Sequence, residues 1–97
     1  MDVLPFDAWR QSHGLPLPDR PTWIAKVDVE GFETRVIRGM ALSLQARAFA
    51  GLVIEVNEFT LDFCGSSAEE LKAELHAHGY CEELSAPSSG NAFFVPA

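Results

Sequence analysis

Two short runs of apolar residues, Trp23-Ile24-Ala25-Lys26-Val27-Asp28-Val29 and Leu52-Val53-Ile54-Glu55-Val56, constrain this chain most. Both are rich in β-branched residues, and Pro21 and Gly31 bound the first, so each reads as a strand. Their apolar character is nearly continuous, a pattern that suits internal parallel strands covered on both faces. Between them Phe32, Val36, Ile37 and Met40 recur at helical spacing. Gly39 breaks that helix. A second helical piece is expected over Ala41 to Ala48, with Leu42, Leu44 and Phe49 on its apolar side and Gly51 ending the helical stretch. Strand, helix, strand in this order implies a parallel pair.

Ser67-Ala68-Glu69-Glu70 then forms a capping box, in which the Ser67 hydroxyl accepts from the Glu70 N–H and the Glu70 carboxylate accepts from the Ser67 N–H. A helix follows from Ala68 to His78, with Ala68, Leu71 and Leu75 as its buried stripe and Gly79 in a left-handed cap. Tyr80 to Leu84 and Ala92 to Val95 are short strands, and Pro87-Ser88-Ser89-Gly90 is the turn that joins them as a hairpin. Before all of this, residues 1–22 hold Pro5, Pro16, Pro18 and Pro21 and allow one short helical turn near Asp7 to Gln11. The expected organisation is therefore an irregular lead-in over 1–22 and an α/β unit over 23–97.

Composition narrows the function. With 7 basic against 14 acidic residues the net charge is −7, which repels phosphate backbones and anionic headgroups, so neither nucleic acid nor membrane is an expected partner. Met1-Asp2-Val3-Leu4-Pro5 has no secretory character, and the apolar stretch from Ala48 to Ile54 is far too short to span a bilayer, so a cytoplasmic location is expected. Two cysteines, Cys64 and Cys81, are too few for a paired-cysteine zinc site, and reduced thiols are expected. His76 and His78 point to different helix faces and suit a helix C-terminus better than a metal. Trp9 and Trp23 are expected as buried anchors.

In open α/β sheets ligands bind at the carboxyl ends of the strands. Those ends carry Asp28 and Glu30 on the first strand and Glu55, Asn57 and Glu58 on the second. Strand alternation places Asp28 with Glu30 and Glu55 with Asn57, and neighbouring strands lie ~4.8 Å apart, so the acids converge on one crevice. Such carboxylates can act as a general base, accept from hydroxyls, or ligate a hard cation. Glu30 and Glu33 also lie near the positive end of the following helix, which is sufficient reason for Glu33. Asp28 and Glu55 sit within apolar strand patterns, where a charge is costly, and that favours a functional role.

The stretch Lys26, Asp28, Glu30, Gly31, Glu33, Val36, Ile37 and Gly39 resembles, position by position, the strand motif of FkbM-type methyltransferases. Phe6-Asp7-Ala8-Trp9, the strand ending at Glu55, Gly79-Tyr80 and Asn91-Ala92-Phe93-Phe94-Val95-Pro96 extend the resemblance over nearly the whole chain. It implies the C-terminal half of a Rossmann-like class I methyltransferase sheet, closed by an antiparallel hairpin. It further implies S-adenosylmethionine as methyl donor and a hydroxyl of a sugar, glycan or secondary metabolite as acceptor. Asp28, Glu30 and Glu55 are the candidate catalytic acids, Lys26 and Asn57 candidate substrate contacts, and no metal ligands are assigned. Family members open with a glycine-rich cofactor turn, whereas no two glycines here are spaced G-x-G, so cofactor-binding residues stay unassigned. The first three strands of the fold look missing, and self-association or pairing with an N-terminal half is expected. A non-catalytic interaction module and a magnesium-binding α/β enzyme fragment are the alternatives.

Overall fold

The computed structural model describes residues 5–84 and 91–97. In chain order its elements are α1 (Phe6–Ser12), β1 (Trp23–Val27), α2 (Glu33–Arg38), α3 (Ala41–Gln45), β2 (Phe49–Glu55), α4 (Glu58–Phe63), α5 (Ala68–Ala77), β3 (Tyr80–Glu82) and β4 (Asn91–Pro96). The sheet order is β1-β2-β4-β3, with β1 parallel to β2 and β4 antiparallel to both of its neighbours. The parallel pair and the antiparallel closure match expectation; the turn over residues 87–90 lies outside the described residues.

One face of this mixed sheet carries the core. Ala25 and Val27 lie in register with Leu52 and Ile54, and these with Phe94 and Ala92. Against them pack Ile37 of α2, Leu44 of α3, Leu61 of α4 and Leu71 and Leu75 of α5 in a single cluster. The opposite face, with Lys26, Val53, Phe93 and Val95, stays partly or fully open, and Ile24 is 76% exposed. A 20 Å short dimension equals one helix layer on one sheet layer. The expectation of strands covered on both faces is thus corrected: a continuous apolar run reports β propensity and does not say which face is covered.

Several boundaries also differ from expectation. β1 ends at Val27, because Glu30 and Gly31 take positive φ values of 52° and 103° and turn the chain into α2. α3 stops at Gln45, since Arg47 turns at φ 57°. Gly51 does not end a helix. It lies inside β2, which begins at Phe49, where the buried Tyr80 hydroxyl accepts from the Phe49 N–H at 3.1 Å and donates to its carbonyl at 2.8 Å. Leu42 is exposed, and the buried side of α3 is Ser43 and Leu44.

α1 joins the body through Asp7, a buried carboxylate that accepts from the backbone N–H of Leu42 and Ser43 at 2.7 and 3.1 Å and from the Ser43 hydroxyl. It serves as a cap for α3 supplied from 35 residues upstream. Phe6 adds an aromatic contact with Trp23 and Phe49 at 5.9 Å each. On α5 half of the capping box forms: Ser67 Oγ accepts from Glu70 N at 3.1 Å, while the Glu70 carboxylate meets Arg38 of α2 at 2.8 Å. The Glu58 carboxylate instead accepts from Ala68 N at 2.8 Å.

Candidate functional site

The strand-end acids meet. Carboxylate oxygens of Asp28, Glu30 and Glu55 lie within 4.8 Å of one another where β1 and β2 end. The expected reason, alternation along one strand, does not hold. Asp28 is just past the end of β1 and Glu30 is in the turn, in the left-handed conformation. The turn itself folds Glu30 back toward Asp28. Nor are these acids buried, since Asp28 and Glu30 are exposed and Glu55 is half-buried. Water therefore offsets the desolvation cost that their apolar sequence context suggested.

Like charges at this separation compete for protons. The hydrogen bond from Asp28 raises the Glu55 carboxyl above its ordinary range, assisted by the Asp28 charge, burial, and the charges of Glu30 and Glu33. Glu55 thus holds a proton more readily than an isolated carboxylate does. Three such groups could also supply three oxygens to a hard cation, half or less of the six to eight that calcium takes, with water for the rest.

Glu33 has a role that sequence reasoning assigned only to the helix end. It is 2% exposed, and its two carboxylate oxygens accept from the N–H groups of Val29 and Gly31, each at 2.9 Å. The side chain thereby shapes the turn that presents Asp28 and Glu30. A carboxylate folded back onto two N–H groups of a glycine turn is the available signal in Glu30-Gly31-Phe32-Glu33, as an alternative to helix capping.

From the other side α4 holds the turn. A Cβ on Gly31 would strike the Thr60 carbonyl oxygen and lie 2.7 Å from the Cys64 sulfur. α4 starts at Asn57, whose side-chain oxygen accepts from Phe59 N at 3.0 Å and Thr60 N at 3.2 Å. Asn57 is thus occupied as a helix cap beside the acid cluster. Lys26 is exposed on the open face of β1, and its side chain makes no hydrogen bond or ion pair among the described residues. Both cysteines are free thiols, and His78 bonds Glu74 at 3.2 Å and Gln45 at 3.0 Å.

No helix among the described residues is long and apolar enough to cross a membrane. Searches of curated proteins and of solved structures return no match. The family model for the methyltransferase FkbM domain matches residues 1–81, a stretch that holds the acid cluster, Glu33, Gly31 and the Asn57 cap together. With more than four-fifths of its length matched and its strand-end acids gathered at one point, the chain belongs to the FkbM methyltransferase family.

Proposed function

We propose that this chain carries the acceptor side of a cytoplasmic, S-adenosylmethionine-dependent O-methyltransferase, and that Asp28 and Glu55 receive and orient the acceptor hydroxyl. The observation that carries this reading is the convergence of Asp28, Glu30 and Glu55 within 4.8 Å at the strand ends. The acceptor class follows the family resemblance: a hydroxyl of a sugar, glycan or secondary metabolite. Glu55, its proton affinity raised by the neighbouring Asp28, is suited to take the hydroxyl proton as the oxygen becomes bonded to carbon. Glu30 adds negative potential, and Glu33 acts as a positioning residue through the Val29 and Gly31 N–H groups.

S-adenosylmethionine would supply an electrophilic methyl group. Its methionine end needs a turn whose backbone can be approached closely. The strand-glycine-helix turn at Gly31 does not fit that need, because the Thr60 carbonyl and Cys64 of α4 already occupy the space above Gly31. In this reading the donor's seat comes from another polypeptide segment, and the chain expressed by itself does not transfer methyl groups.

The test is a labelled-methyl transfer assay on affinity-tagged protein recovered from its native cells, beside the same chain expressed alone. Transfer by the native preparation, lowered about 10²–10⁴-fold by Asp28→Asn with little loss of stability, is expected. Unchanged turnover in Asp28→Asn removes Asp28 from the site.

A second reading, a non-catalytic interaction module, draws on the edge position of β1 and the open sheet face beside it. Light scattering separates the two. Concentration-dependent assembly through Trp23–Val27, with no methyl transfer by any preparation, favours the module.

A further inference from the structure

Beside the acid cluster lies a cleft of about 700 Å³ between α1 and α2, whose walls include Phe6, Trp9, Val29, Phe32, Arg35 and Val36. That volume is the size that takes a small organic ligand. Three of its walls are large apolar side chains left open to solvent: Phe32 at 47%, Trp9 at 41% and Val29 at 37% exposure. Scattered singly these would be ordinary, but gathered around one concavity they mark a binding surface.

Charge selects the ligand. Arg35 is the one charged residue among the lining residues, in a chain of net charge −7. Its guanidinium lies 5.2 Å from the Phe32 ring centroid and has no carboxylate partner among the described residues. Arg38, nearly one turn further along α2, faces away and is paired with both Glu70 and Glu74. A cation left unpaired against an aromatic wall, in so acidic a protein, is complementary to an anion carried on a flat apolar body. The cleft is also joined to the acids by the chain itself, since Val29 stands between Asp28 and Glu30.

The geometry points to an aromatic hydroxy-carboxylate as the acceptor class: the ring lies against Phe32 and Trp9, the carboxylate meets Arg35, and the hydroxyl is turned toward Asp28 and Glu55. The last step rests on the methyltransferase reading; the binding of an aromatic carboxylate does not.

Calorimetric titration of the whole chain with 3-hydroxy-2-naphthoate and with uncharged 2-naphthol tests it directly. Saturable one-to-one binding is expected, with the carboxylate preferred about tenfold, the size of one charge-assisted contact at a partly open site. Arg35→Gln should erase that preference and leave the naphthol affinity unchanged, while Phe32→Ala weakens both probes. Both substituted positions 32 and 35 are exposed, and circular dichroism confirms that the variants are folded. Equal affinities for the two probes, a preference that survives Arg35→Gln, or no saturable binding at millimolar concentration overturns the proposal. Preserved binding without methyl transfer by the native preparation sinks the methyltransferase reading and leaves the cleft; methyl transfer without carboxylate preference does the reverse.

Discussion

Replacing Gly31 by alanine tests how the acid-bearing turn is held. The residue sits at φ 103°, where a side chain is strained by about 1–2 kcal/mol. The added methyl would also meet the Thr60 carbonyl and the Cys64 sulfur, and overpacking of this kind costs roughly 1–3 kcal/mol. The sum, ~2–5 kcal/mol, is a large part of the roughly 5–15 kcal/mol that holds a domain together. At ~4–8 °C per kcal/mol for a chain of this size, melting should fall by at least about 8 °C. Gly65 supplies the control: φ is 82° and a methyl there would meet nothing within 4 Å, so Gly65→Ala should show the conformational cost alone. Urea unfolding followed by circular dichroism reads both. If Gly31→Ala is no more destabilised than Gly65→Ala, the packing of α4 on the turn is refuted.

Asp7→Ala should cost roughly 1–3 kcal/mol in the same unfolding assay, because it strips the Leu42 and Ser43 N–H groups of their acceptor; a loss below about 0.5 kcal/mol would mean that α1 does not anchor α3. Tyr80→Phe should cost a similar ~1–3 kcal/mol by leaving the buried Phe49 N–H and carbonyl without the phenol, and full stability in the variant would contradict that arrangement. The Glu55 carboxyl is raised by Asp28, so the folded protein keeps a proton that the unfolded chain has lost. Stability from this source is complete below the ordinary glutamate range and is lost as pH rises through the raised Glu55 value. Glu55→Gln should flatten that decline in melting curves taken from pH 4 to 8, and parallel curves for the two proteins would show that the acids do not interact.

The elements legible in the sequence are those with strong periodicity or a marked boundary. β1, β2 and α5 follow from apolar runs and from the Ser67 cap, and their pairing follows from the helix between the strands. α4 is not legible in this way, because it has six residues and only Leu61 faces inward, while Phe59 and Phe63 are 80% and 85% exposed. No apolar stripe exists to reveal it; the Asn57-Glu58 start is the available signal. The convergence of Asp28, Glu30 and Glu55 is legible, but for another reason than the one that operates. Strand alternation points to the right acids, whereas the positive φ values of Glu30 and Gly31 bring them together. Their exposure is not legible at all, since the open side of a two-layer fold depends on which helices cover the sheet, a fact of tertiary packing that periodicity along one strand does not contain.

Whether the strand-end acids serve methyl transfer is decided by the rate of labelled-methyl transfer in the native preparation carrying Asp28→Asn, compared with wild type at equal folded concentration. A fall of about 10²–10⁴-fold is expected, with an unchanged melting temperature or a higher one. Wild-type turnover in the variant, or a loss of rate that merely follows a loss of folded protein, would contradict the assignment of Asp28 to the acceptor site.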